Sequence, residues 1–188
     1  MTPFEYVLPL VSVIVGLAVA DLAVSLHRLL RAGRRVRWDA LPLGAALLAM
    51  LVVLELWWVL FRSQGDPSFV TLVGFLPLVA QLVLLFLLNA AALPDEVPED
   101  GLDLRAFYDR NGPYFWGLYA AYVGLVSGVR VLGIVLGNGQ TLGGLVPNLV
   151  LLALFLALAR WRNRWFHGVA LVAVLALLLS EWSGLTLE

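Results

Sequence analysis

Residues 40–61 read ALPLGAALLAMLVVLELWWVLF, with one charge, Glu55, in the whole stretch. At about 1.5 Å per residue these residues reach about 33 Å as a helix, enough to cross a hydrocarbon core of about 30 Å. Pro42 falls in the first turn, where a missing N–H has no intrahelical partner to lose. Five further stretches have the same character: 6–26, 69–93, 114–136, 142–159 and 165–185. The fifth is the shortest and opens on Gly143, Gly144 and Pro147. Pro77 falls inside the third and predicts a kink that neighbouring helices accommodate.

Composition leads to the same class. The chain of 188 residues is 62% hydrophobic and 13% charged, with a mean hydropathy of +0.93. Soluble domains are about half apolar and about a quarter charged, so lipid must be the solvent for most of this surface. A cytosolic enzyme and a nucleic-acid binder are thereby excluded. The absence of cysteine removes disulfides, thiolate metal sites and thiol nucleophiles. The expectation is an all-α integral membrane protein: one transmembrane domain over 1–188, a bundle of six transmembrane helices in the cell membrane, read as a bacterial inner membrane.

Arginine sets the expected orientation. All twelve basic residues are arginines. Arg28, Arg31, Arg34, Arg35 and Arg37 fall in the first loop, Arg105 and Arg110 in the third, and Arg160, Arg162 and Arg164 in the fifth. Only Arg62 falls on the other side, and Arg130 lies within a span. Basic residues stay cytoplasmic, which predicts an N-out and C-out topology. Trp38, Trp116, Trp161 and Trp165 then mark inner ends, and Trp57, Trp58 and Trp182 outer ends, as interfacial belts require. Residues 1–10 hold no lysine or arginine, so the first stretch reads as a span and not as a cleavable signal. A three-plus-three inverted repeat finds only a poor match.

The third loop, 94–112, carries Asp95, Glu96, Glu99, Asp100, Asp103 and Asp109. These carboxylates read as a solvated acidic linker; a hard-cation site is the sharper reading, but the spacing of a calcium loop is missing, and no metal or other cofactor is expected. Asp103 is placed to cap a short helix on which Leu104, Phe107 and Tyr108 share a face, expected to lie along the membrane interface.

Three ionisable side chains lie five or more residues inside their spans, each costing about 2.5–3.5 kcal/mol on insertion scales. They are Asp21, Glu55 and Arg130. Glu55 and Arg130 each lie six residues from the outer end of their stretch, so an interhelical ion pair at equal depth is expected, either holding two helices together or lining a polar pathway. Asp21, Ser25 and Arg28 follow one another on one face of the first helix, as the inner mouth of a pathway or as a snorkelling network. Small residues let helices approach closely where lipid supplies no hydrophobic drive. Gly117, Gly124, Gly128 and Gly133, with a literal G-x-x-x-G at 124–128, therefore predict a tight contact along the fourth helix. Gln81 and Asn89 are expected to hydrogen-bond across helices. His27 and His167 fall at the same side, where two imidazoles are able to ligate haem iron; interfacial polarity is the commoner reason for histidine there.

In size and span count the chain resembles the bacterial members of the lysosomal potassium channel family. That family's first helix carries a Phe-Ser-Asp signature where this chain reads Val19-Ala20-Asp21, so the resemblance assigns no residue a role. Three functions follow from the residues themselves. A homo-oligomeric channel or transporter subunit for a small ion or solute uses the intramembrane charges. A non-transporting scaffold or sensor uses them for packing and offers its arginine-rich and acidic loops to a cytoplasmic protein partner or to membrane lipids. A haem-binding redox protein uses the histidines. Neither a serine-hydrolase nor a zinc-protease motif is present, and catalysis is not expected.

Overall fold

A computed structural model describes residues 3–62, 71–137 and 141–182. Its elements in chain order are α1 (Pro3–Ala32), β1 (Val36–Arg37), α2 (Ala40–Arg62), α3 (Leu72–Ala92), β2 (Leu102–Asp103), α4 (Leu104–Val135), α5 (Leu145–Arg160) and α6 (Arg164–Trp182). Among the described residues six helices are long and apolar enough to cross a membrane. They form a multi-pass all-α bundle by length and composition.

Three boundaries differ from the sequence reading, each for a local reason. α1 runs six residues past the expected end at Leu26 because leucine, alanine and arginine sustain a helix. It stops where Gly33 turns into the left-handed region at φ 55°. The short helix expected in the third loop is not separate: Leu104, Phe107 and Tyr108 form the first turns of α4, which continues through Pro113 into the fourth span. Proline there removes only the bond to the Asp109 carbonyl, and the packing of Tyr108, Gly112, Phe115 and Trp116 in the core carries the helix across it. α5 begins at Leu145, after a 3-10 turn at Leu142–Gly144. Sixteen α-helical residues give about 24 Å and the turn about 6 Å, which together match the hydrocarbon core.

α1 packs on α2 and α3, α2 reaches α3, α4 and α6, and α4 has its largest interface with α5. The core between them is apolar and aromatic, with Leu48, Leu85, Leu88, Trp116, Tyr119 and Leu158 fully buried. On the outside Val135, Leu142 and Val172 are each more than 60% exposed, a cost in water that is absent in lipid. Polar contacts also join helices within this apolar frame. Asn89 Nδ2 donates to the Ala49 carbonyl at 3.4 Å as well as to Leu85 at 2.9 Å, meeting the expectation for Asn89, and Trp57 Nε1 donates to Ser12 Oγ at 3.2 Å.

At the arginine-rich end the loops are knitted together. β1 and β2 pair in parallel, Val36 opposite Leu102 and Arg37 opposite Asp103. Gly101 makes that pairing feasible: its φ is 99°, and a Cβ there would lie 2.8 Å from the Arg35 carbonyl oxygen. Arg28 Nη1 donates to the Asp95 carbonyl at 2.5 Å, and Arg164 bridges Asp39 at 2.5 Å and Asp109 at 2.9 Å. Three loops distant in sequence therefore meet on one side of the bundle.

Candidate functional site

The Arg164 bridge supplies a common level from which heights along the helices can be counted. At about 1.5 Å per residue Glu55 stands about 24 Å above Asp39 on α2, Glu181 about 26 Å above Arg164 on α6, and Tyr122 about 20 Å above Asp109 on α4. Arg130 stands about 32 Å above Asp109, beyond Glu55 by about 8 Å. The equal depth expected for Glu55 and Arg130 therefore does not hold. Their ion pair is absent among the described residues, where no carboxylate comes within 4 Å of Arg130. α4 enters the bundle ten residues before Tyr114, the start of its expected span, so its later residues ride higher than a count from the far end implies.

Each half of the expected pair has other company. The Arg130 guanidinium donates to the Gly144 carbonyl, where the 3-10 turn passes into α5, and so ties the α4–α5 connection. Glu55 is half-buried, and the charged group that acts on it is a like one, Glu181 on α6. The Glu55 carboxyl in turn acts electrostatically on the Tyr119 and Tyr122 hydroxyls of α4. Among the described residues Tyr119 Oη is buried without a hydrogen-bond partner, and the same holds for Trp58 Nε1 on α2, Asn89 Oδ1 on α3, Asn148 Nδ2 on α5 and Trp182 Nε1 on α6. Buried polar atoms are almost always bonded, so five orphans spread over α2 to α6 are unusual.

The other sequence-selected residues are dispersed. Asp21 is half-buried on α1 and lies eleven residues from that helix's end, deeper than expected, because α1 is longer. Ser25 is buried one turn further on, and Arg28 has turned to the Asp95 carbonyl. Of the glycines, Gly124 faces Leu152 of α5 at ordinary contact distance and Gly133 is buried. Gly117 and Gly128 have open space beside them, so the G-x-x-x-G is only half used within the chain. The tight glycine contact lies elsewhere: a Cβ at Gly44 of α2 would come 2.6 Å from Leu171 of α6, and Gly168 of α6 faces Leu41 of α2. Gly44 is an isolated glycine without a repeat partner, and the sequence carried no signal for it.

The histidines part company. His27 is exposed on α1. His167 is buried, with Nδ1 2.8 Å from Tyr108 Oη and Nε2 2.7 Å from the Trp161 carbonyl. A carbonyl only accepts, so Nε2 carries the proton; Nδ1 accepts from the Tyr108 hydroxyl, which itself accepts from Trp116 Nε1 at 3.0 Å. Tyr108 was read from sequence as an interfacial aromatic and Trp116 as a belt residue; their roles arise from helix length. In the acidic loop Asp103 Oδ1 caps α4, accepting from the N–H groups of Arg105 and Ala106, and Asp109 binds Arg164, so these two carboxylates serve the fold and not a solvated linker. Among the described residues no three His, Asp or Glu side chains gather closely enough to hold a metal ion.

Length and composition define a multi-pass membrane bundle in which Glu55 is half-buried and, among the described residues, has no basic group within 4 Å. In comparison with known proteins, no family model, no curated protein and no solved structure matches this chain.

Proposed function

We propose that the chain is a subunit of an oligomeric channel or transporter for a small ion or solute, and that the solute is a monovalent cation or a proton. The observation that carries this reading is Glu55: a half-buried carboxyl far along α2, with no basic group within 4 Å among the described residues and a second carboxyl, Glu181, as its charged neighbour. A charge kept at that cost without a partner is used when something mobile neutralises it. Buried hydroxyl, amide and indole groups without hydrogen bonds on α2, α4, α5 and α6 are the candidates for the polar wall such a path needs. The open faces at Gly117 and Gly128 suit a neighbouring subunit, which supports a homo-oligomer.

The arginine bias supports a topology with the knitted loops in the cytoplasm and both chain ends outside, in a cell membrane. With that orientation Tyr108 and the first turns of α4 meet the inner headgroup region and Glu55 lies in the outer half. The scaffold or sensor reading retains the same fold but leaves Glu55 without a purpose. The haem reading gains nothing from a His167 whose two nitrogens are already bonded and a His27 on the exterior.

The test is ion flux into liposomes holding the purified protein, across several monovalent cations, anions and a pH gradient, compared with Glu55→Gln. Cation or proton flux above that of empty liposomes, lowered at least about tenfold by the substitution, is expected. No flux above empty liposomes, with the protein folded, would leave the scaffold or sensor as the better reading.

A further inference from the structure

The end of α1 and the segment after α3 border an open cavity of about 510 Å³, lined by Arg28, Arg31, Arg35, Asp95 and Glu96 with the apolar Ala32 and Val97. Its walls are fixed at three places: the Arg28 bond to the Asp95 carbonyl, the seat of Gly101 against the Arg35 carbonyl, and the pairing of Val36 with Leu102. Its arginines come from α1 and the turn after it, and its acidic residues from the segment after α3. Among the described residues none of these three arginines has a carboxylate within 4 Å, so the charges have not collapsed onto one another.

A cavity lined by arginines from one segment and acidic residues from another matches a zwitterion. Guanidinium forks suit phosphate oxygens, and carboxylates suit an ammonium with N–H donors. Its place in the fold indicates where the zwitterion comes from. Asp95 lies three residues beyond the last residue of α3, at headgroup level, and Leu26 and Leu30 are exposed on α1 beside Arg31. Acyl chains can run along that leucine face. We propose that this cavity is a headgroup site for an aminophospholipid, with the phosphate on Arg31 and Arg35 and the ammonium on Asp95 and Glu96. The site is distinct from Glu55 and holds whichever side of the membrane the arginine-rich end faces.

Native mass spectrometry of the full chain, offered phosphatidylethanolamine, phosphatidylcholine and phosphatidylglycerol with identical acyl chains, tests the assignment. Phosphatidylethanolamine is expected to bind about tenfold more tightly than either, because choline lacks N–H donors and glycerol lacks the cation. Arg31→Gln with Arg35→Gln should lower its binding about tenfold. Asp95→Asn with Glu96→Gln should bring it down to the phosphatidylcholine level while leaving phosphatidylglycerol unchanged or tighter. All four side chains are exposed, and the Asp95 carbonyl that anchors Arg28 survives both double substitutions. If the unmodified protein ranks phosphatidylethanolamine no higher than the other two, the proposal is overturned without any variant. Displacement of the lipid by soluble phosphoethanolamine at equal concentration would make the occupant a soluble aminophosphate and overturn the lipid assignment.

Discussion

Arg164 Nη2 lies 2.5 Å from Asp39 Oδ2 although 125 residues separate the two in sequence. The contact fixes the start of α6 against the start of α2, and its geometry sets an order of effects. The Asp39 side chain is 16% exposed, whereas Asp109, the other partner of Arg164, is 48% exposed. Arg164→Gln leaves a half-buried carboxylate without its cation and should cost about 1–3 kcal/mol. Asp109→Asn removes a solvent-screened pair and should cost less than about 1 kcal/mol. Unfolding in detergent followed by helical circular dichroism measures both; equal losses would contradict the order.

Glu55 and Arg130 should behave independently. One acts beside Glu181 and the other on the Gly144 carbonyl, so Glu55→Gln and Arg130→Gln are expected to be additive in stability within about 0.5 kcal/mol. A coupling energy above about 1 kcal/mol in that double-mutant cycle would restore the ion pair read from the sequence.

Two glycines should respond in opposite directions to alanine. At Gly44 the new methyl meets Leu171 at 2.6 Å, and a loss of about 1–3 kcal/mol is expected unless Leu171 is shortened as well. At Gly128 the methyl meets nothing within 4 Å, and the better helix former should stabilise the isolated subunit by up to about 1 kcal/mol. Thermal unfolding of the two variants beside Gly44→Ala/Leu171→Ala decides it; destabilisation by Gly128→Ala alone in a dispersed subunit would contradict the open space there.

Tyr108→Phe deletes one oxygen that serves two buried partners. Trp116 Nε1 loses its acceptor and His167 Nδ1 its donor, with a combined cost of about 2–4 kcal/mol. The environment of Trp116 should change with it, seen as a shift in indole absorption and fluorescence relative to the unmodified protein. A variant as stable as the parent, with unchanged fluorescence, would show that the chain of hydrogen bonds does not form.

The span count was legible because a run such as 40–61 has one workable reading in lipid, and the Asp103 cap and the Asn89 contact were legible because each follows from local chemistry. The Glu55–Arg130 pair was misread because its depth rested on the far ends of two stretches, while the helix that sets the level, α4, starts ten residues earlier than apolarity alone suggests. The pairing of Val36 with Leu102, the Gly44 contact and the bonds of His167 all join residues far apart in the chain. Hydropathy reports the solvent around a segment and says nothing of its partner. The orphan hydroxyl of Tyr119 is a case in point: in sequence it is one aromatic among many, and only packing reveals that it has no partner among the described residues.

The central claim is that the Glu55 carboxyl is unpaired within the protein and exchanges a proton or cation with its surroundings. Its most direct test is labelling of the purified protein with a lipophilic carbodiimide, whose central carbon is attacked by the oxygen of protonated carboxyl groups in apolar settings, followed by mass spectrometry of the peptides. The expected result is an adduct on Glu55 that falls as pH rises or as one monovalent cation is added, and no adduct at that position in Glu55→Gln. A Glu55 that stays unlabelled in the folded protein, or is labelled to the same extent at every pH and cation concentration, would contradict it.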